Sequence, residues 1–346
     1  MAGGTGGHIF PGLAVAENLR SKGWDVAWLG NPQGMEYQLV PSKGFRFESV
    51  RFGGLRGKGL QTKMMLPINL IRAVFQSWRI MQRLKPSVVL GMGGYISVPG
   101  GLVSFLQSRP LVLHESNSVA GSANRFLARF ARRVLTGFPE VMINSEWVGN
   151  PIRESFEMLA DPLARYSQRQ GNLRLLVVGG SLGAAVLNEM IPKALALIPA
   201  EQRPSVIHQA GEKHLEQLRK NYSQSGVQAE MKAFITDMAE AYANADLVIC
   251  RSGAMTVSEI AASGVAACFV PFPHAIDDHQ TANARFLSNA KAAILLPQAD
   301  LSADRIATLL QRLTRIELQQ YAHKAHQLAK LHATQRVSEI CAEAAQ

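Results

Sequence analysis

A chain of 346 residues, 47% of them hydrophobic, is long enough for two domains, each with its own core. Its three cysteines, Cys250, Cys268 and Cys341, lie far apart with no C-x-x-C pair, which excludes a disulfide framework and a cysteine zinc site and fits a reducing compartment. The net charge of +10 resides wholly in residues 1–150, with 17 Lys and Arg against 7 Asp and Glu, and ten basic residues but one acid, Glu48, fall between Lys43 and Lys85. A one-sided field of this kind attracts a polyanion or an anionic membrane.

The chain opens on a glycine loop, Gly3-Gly-Thr-Gly-Gly-His8, followed by a helical pattern from about residue 11 to 22. Strands are predicted near 25–29, 88–91 and 111–114, with helices between them. Such a loop needs a strand to feed it, yet only Met1 and Ala2 precede it, so the expectation is that the first strand is missing and the true start lies upstream. Residues 139–151 read as the crossover to a second unit. That unit begins cleanly, with a strand at 173–178, a Gly-rich loop at 179–184 and a helix at 185–197. Further strands are expected at 205–208, 247–250 and 267–270, with helices at 212–221, 237–244 and 255–263. Strands alternating with helices give an α/β fold with parallel sheets covered on both faces. The helical stretch after Asp304 has no strand behind it, and its end is expected to pack back across the domain junction.

Neither glycine loop fits the dinucleotide fingerprint G-x-G-x-x-G, and no G-x-x-x-x-G-K-[ST] occurs, which argues against a dehydrogenase and a P-loop NTPase. The most informative stretch is residues 247–259, where Leu247-Val-Ile-Cys250 is a buried strand and Arg-Ser-Gly turns into a helix. In an open α/β sheet ligands lie at this kind of place, outside the carboxyl end of a strand. The amides of Ala254, Met255 and Thr256 would face phosphate oxygens, and Glu259 would accept the two hydroxyls of a ribose. A first-turn Glu favoured by the helix dipole is the plainer alternative for Glu259. Ser181 and its neighbouring amides would hold a diphosphate. His8, on a glycine loop at a helix start, is a candidate proton acceptor. The stretches Gly91-Met-Gly-Gly-Tyr95 and His114-Glu-Ser-Asn117 follow two further strands. No D-x-D pair is present, so no metal bridging a diphosphate is expected, and no cofactor.

With these residues in hand, the chain resembles the MurG family of bacterial N-acetylglucosaminyltransferases. The likeness runs through Gly3-Gly-Thr-Gly-Gly-His8, residues 53–59, 91–95, 114–117, 149–153, 179–184, 234–238, 251–259 and 271–284, in the family's order. Ser116 and Leu182 stand where the family more often has Gln. The resemblance implies a GT-B fold of two Rossmann-like domains facing across a cleft. Residues 1–150 would form the acceptor and membrane side and 151–330 the UDP-sugar side, with the last helix, about 331–346, packed on the first domain. It implies inverting transfer of N-acetylglucosamine from UDP-N-acetylglucosamine to the C4 hydroxyl of an undecaprenyl-diphosphate-linked muramyl-pentapeptide. Within the segment that includes Val257 and Ser258, it gives Glu259 to the ribose and Met255 and Thr256, with Ser181, to the diphosphate. It gives Phe234 and Ile235 to the uracil, Arg153 to the hinge side of the nucleotide and Gln280 to the sugar hydroxyls. Thr5, Gly6, Gly7 and Asn117 would face sugar and acceptor, with His8 as first choice of base and Glu115 behind it.

The family lives as a peripheral protein on the cytoplasmic face of the bacterial inner membrane, and a helix from Pro67 to Leu84 suits that. On a helical wheel Leu70, Val74, Met81 and Leu84 form the core face, flanked by Ile71 and Trp78. Arg72, Arg79 and Arg83 form a stripe beside Ile68 and Phe75, with Met64 and Met65 just ahead, which suits anionic lipid. The rivals are another GT-B transferase, a UDP-sugar epimerase and, outside enzymes, a basic nucleic-acid-binding protein. The full set of donor loops weakens the last of these, so no nucleic-acid partner is expected.

Overall fold

The computed structural model describes residues 1–54, 65–180 and 184–346. The chain divides into two compact units, one of Met1–Arg153 with Lys330–Gln346 and one of Glu154–Ala329.

The first unit runs α1 (Gly6–Ser21), β1 (Ala27–Gly30), α2 (Glu36–Ser42), β2 (Arg46–Ser49), α3 (Leu66–Leu84), β3 (Val89–Gly91), α4 (Ser97–Leu106), β4 (Leu111–Glu115), α5 (Ser122–Leu127), β5 (Arg133–Thr136) and β6 (Glu146–Trp147). Its strands pair in parallel as β1-β2 and as β3-β4-β5-β6. Strand β4 is buried along its whole length, as a parallel strand covered on both faces must be. The main chain of Met1 lies along β3, its amino group donating to the Leu90 carbonyl at 2.7 Å and its carbonyl accepting from the Met92 amide at 2.9 Å.

Helix α1 starts at Gly6, earlier than the sequence pattern placed it. The glycines wind into the first turn behind Thr5, whose extended backbone (φ −135°) forms the N-cap. Pro11 then lies inside the helix and not at its start. The expected crossover at 139–151 is also displaced. Glu146 and Trp147 pair with β5, and the first unit continues to Arg153.

The second unit contains α6 (Glu154–Glu157), α7 (Pro162–Ser167), β7 (Arg174–Val178), α8 (Ala185–Ala196), β8 (Ser205–Gln209), α9 (Leu215–Ser225), β9 (Glu230–Lys232), α10 (Met238–Asn244), β10 (Leu247–Cys250), α11 (Ala254–Ser263), β11 (Ala266–Phe269), α12 (His279–Ser288), β12 (Ile294–Leu295), α13 (Ala303–Arg312) and α14 (Arg315–Gln327). The sheet order β12-β11-β10-β7-β8-β9 is all parallel and is the doubly wound order of dinucleotide-binding folds. The order reverses between β7 and β10, so a ligand is expected beyond the carboxyl ends of those two strands.

The amino-terminal ends of the central strands are an anchor. Asp246, fully buried just before β10, takes Arg169 at 2.7 Å, Arg315 at 3.2 Å and the Arg174 amide at 2.8 Å. Tyr166 bridges the Asp246 carbonyl and the Ala266 amide through its hydroxyl, whose pKa burial pushes up to about 12. Helix α15 (Ala333–Ala345) closes the first unit, with Val337, Ile340, Cys341 and Ala344 packed in one cluster with Val15, Leu19, Val112 and Leu135.

Candidate active site

In the second unit the carboxyl ends of the strands carry a set of linked loops. Strand β10 ends at Cys250, and the chain turns through Arg251, Ser252 and Gly253 into α11. Gly253 is an extended N-cap with no side-chain cap, and the first intrahelical bond is donated by Val257 to its carbonyl at 3.0 Å. The amides of Ala254, Met255 and Thr256 precede that bond, where a helix presents its unsatisfied donors and the positive end of its dipole. This end is fixed from the side. Arg251 donates to the carbonyls of Val270 and Pro271 at 2.9 and 3.0 Å and to Gln298 at 2.7 Å. Asn283, wholly buried on α12, donates to the Ser252 carbonyl at 3.2 Å.

Glu259 and Ser258 are half-buried one turn into α11. Val257 differs from its neighbours. Its side chain is fully buried and its amide donates to the Gly253 carbonyl. Gln280, at the start of α12, accepts the Phe272 amide through Oε1 at 2.9 Å. Beyond β9, Phe234 is 66% exposed while the Ile235 side chain is buried, leaving Ile235 its backbone for recognition. Ser181 lies outside the described residues; the adjoining Gly180 takes φ +86°, a left-handed conformation that favours glycine.

In the first unit His8 sits in the first turn of α1, half-buried, with Nδ1 3.3 Å from the Gly3 carbonyl. A carbonyl only accepts, so Nδ1 carries the proton and Nε2 of the neutral ring carries the lone pair. A side chain at position 93 would press within 3.0 Å of that Nε2, so Gly93 keeps this side of the ring clear. Thr5, Gly6 and Gly7 surround the same helix start, Thr5 exposed and the glycines half-buried.

Glu115, at the end of β4, is buried with both oxygens engaged. Oε1 accepts the Asn117 amide at 3.0 Å, and Oε2 accepts the Gly121 amide at 3.0 Å and Asn124 Nδ2 at 2.9 Å. The carboxylate therefore organises the loop that holds Asn117. Its neighbour His114 is wholly buried, donates from Nε2 to the Gly149 carbonyl at 2.8 Å, and burial holds its pKa below the ordinary value. Arg153 is exposed at the end of the first unit, at some remove in sequence from these loops.

Sequence reasoning missed Glu36. This buried carboxylate accepts the Asn31 amide at 3.1 Å and the Gly4 amide at 3.5 Å, tying the loop after β1 to the glycine loop. A Cβ at Gly3 would fall 2.4 Å from its Oε1, so glycine there makes room for it. An acidic residue within the Gly-rich stretch 30–36 was the available signal.

Helix α3 buries much the same face as the wheel gives, Met81 included, and departs from it at Ile71, which is exposed. Ala73, Ser77 and Met81 are buried, while Ile68 is 59%, Ile71 71% and Phe75 54% exposed. Leu70, Val74 and Trp78 are half-buried and line an open apolar hollow with Ile71 and Phe75. Ala73 packs with Leu29, Val50, Phe52 and Ile96. The arginine stripe is partly spent within the protein. Arg83 pairs with Glu48 at 2.5 Å, Arg72 donates to Asn69 at 3.0 Å, and Arg79 lies 4.3 Å over the Phe75 ring. Met64 lies outside the described residues, as do residues 55–59 of the Gly53 motif.

Two Rossmann-like units, one with a helix N-terminus open at its topological switch point, define a GT-B nucleotide-sugar transferase. The family model of the glycosyltransferase family 28 N-terminal domain matches residues 1–136, and that of the C-terminal domain matches residues 174–340. A protein of Polynucleobacter asymbioticus named UDP-N-acetylglucosamine--N-acetylmuramyl-(pentapeptide) pyrophosphoryl-undecaprenol N-acetylglucosamine transferase is 69% identical over 345 residues, covering 100% of this chain and 97% of its own length. The Ralstonia nicotianae protein of the same name is 61% identical over 348 residues, covering 100% and 95%. The crystal structure of MurG from Acinetobacter baumannii superposes with a TM-score of 0.88 at 39% identity, over 99% of this chain and 98% of that one. The chain belongs to the MurG family of N-acetylglucosaminyltransferases.

Proposed function

We propose that this chain transfers N-acetylglucosamine from UDP-N-acetylglucosamine to the C4 hydroxyl of the muramyl sugar of an undecaprenyl-diphosphate-linked muramyl-pentapeptide, with inversion, in peptidoglycan synthesis. The observation that carries this is identity of 69% along the whole chain to a relative named for that reaction. The geometry of each unit supports the roles. In the second, amides 254–256 take the diphosphate, Glu259 the ribose, Phe234 and the Ile235 backbone the uracil, and Gln280 the sugar hydroxyls. The dipole of α11 then stabilises negative charge as UDP leaves. In the first, His8 Nε2 removes the proton from the attacking hydroxyl, and Asn117 and residues 5–7 orient sugar and acceptor. Glu115 acts by holding the Asn117 loop.

The chain works at the cytoplasmic face of the inner membrane. Among the described residues no helix is long and apolar enough to cross a bilayer, so the contact in this reading is made by a surface. Ile68, Ile71 and Phe75 on α3 offer an apolar face bordered by Arg72 and Arg79, suited to an interface of anionic lipid.

The test is UDP release with and without the lipid-linked acceptor. Release that requires the acceptor, with the lipid gaining one N-acetylhexosamine, supports the reading. Interconversion of the UDP-sugar without acceptor would make the chain an epimerase instead.

A further inference from the structure

Strand β8 lies between β7 and β9, and the last residue of β8 is Gln209. Its side chain is 4% exposed, and its single amide nitrogen donates twice, to the Gly180 carbonyl at 3.2 Å and to the Ala233 carbonyl at 3.1 Å. Gly180 belongs to the loop beyond β7, and Ala233 immediately precedes Phe234 and Ile235. Two carbonyls demand both N–H groups of one amide, which fixes the orientation of the group. Oε1 meets no donor among the described residues, so this buried amide is committed to the two loops. The Gln209 backbone adds a third tie, its carbonyl accepting the Gly179 amide at 3.4 Å.

The strand end that carries Gln209 is itself pinned. His208, wholly buried, lies 3.0 Å from the Tyr222 hydroxyl through Nδ1 and 3.0 Å from Asn188 Oδ1 through Nε2. Asn188 also donates to the Ala210 carbonyl at 3.3 Å. Helices α8 and α9 thus hold the residues on either side of Gln209.

We propose that Gln209 is a positioning residue for the donor: a strut that sets the distance between Gly180, next to the Ser181 that the family resemblance gives to the diphosphate, and the segment facing the base. The inference rests on the donor reading above. A nucleoside diphosphate has a limited span between base and phosphates, and a protein that fixes the matching span beforehand avoids ordering two loops on binding. The benefit goes only to ligands that engage both ends at once. Uridine, which reaches the base segment and Glu259 but has no phosphate for the Gly180 end, gains nothing from the strut.

The experiment compares UDP and uridine affinities, by calorimetry or by competition, in the full chain and in two variants. Gln209→Met keeps the length and loses both donors; Gln209→Asn keeps the amide but is one methylene short. Loss of two neutral hydrogen bonds predicts UDP binding weakened roughly tenfold with uridine binding changed by less than about twofold, and donor KM rising more than kcat falls. Unchanged UDP affinity in a folded variant overturns the proposal. So does uridine weakened as much as UDP, which would make Gln209 a direct contact to the base or a general support of the fold. Absence of UDP binding by the unmodified protein would instead sink the donor reading on which the strut depends.

Discussion

At the scale of single residues, what matters most is which nitrogen of His8 holds the proton. The Gly3 carbonyl at 3.3 Å takes the Nδ1 proton and leaves Nε2 as the basic atom. Proton removal counts only in the transition state, so His8→Ala is expected to lower kcat by about 10²–10⁴-fold with little change in donor KM. Steady-state kinetics on both substrates check this. A larger kcat loss from Glu115→Ala, with His8→Ala mainly weakening binding, would reverse the two roles. The buried His208 makes a separate prediction about pH. Burial lowers its pKa from 6.5 to about 3, so the folded state keeps the ring neutral where the unfolded chain protonates it. The unfolded state then binds more protons between those values, and stability must fall as pH drops from 6.5 toward 3. Urea midpoints measured across that window should decline for the unmodified protein and decline less steeply for His208→Gln. Parallel slopes would mean that His208 contributes nothing to the acid sensitivity.

At the scale of elements, α3 presents the apolar face proposed to meet the membrane by a division between small and large side chains. Ala73 and Ser77 are buried, and Ile71 and Phe75 are thereby turned outward. Both are exposed, so charges placed there should leave the fold intact. The double change Ile71→Glu, Phe75→Glu removes apolar area worth about 1.5–3 kcal/mol per side chain if fully buried in lipid, and should weaken binding to anionic vesicles roughly tenfold or more. It should raise the KM for lipid acceptor and leave the KM for the UDP-sugar alone. Replacing Arg72, Arg79 and Arg83 by Gln should act less, and mainly at low salt, because Arg83 already pairs with Glu48. Vesicle binding undiminished by the double change would move the contact to another surface.

At the scale of the molecule, the two sheets follow from runs such as Leu175-Leu-Val-Val178, which parallel strands covered on both faces require. The strands that escaped the sequence reading include the short β6 and β9, where Glu146–Trp147 and Glu230–Lys232 give no apolar run to detect, and β12, which pairs over only two residues of the apolar run 292–296. The early start of α1 was hidden because glycine is a poor helix former and its use in a first turn depends on the loop around it. Of the candidate site, the turn at 251–254 was legible because a strand, a tight turn and a helix follow one another within a dozen residues. Gln209 was not, since its partners are 29 and 24 residues away and a lone polar residue at a strand end has no pattern.

In the function proposed for the chain, the second unit holds the donor at the switch point of its sheet, through the start of α11 and Glu259. The most direct measurement is the UDP affinity of Glu259→Ala beside that of the unmodified protein. Loss of a charged acceptor for two hydroxyls, worth roughly 1.5–3 kcal/mol for a bond to a charged group, predicts UDP binding weakened about tenfold or more, with the acceptor KM unchanged. Equal UDP affinity in the two proteins would contradict the account.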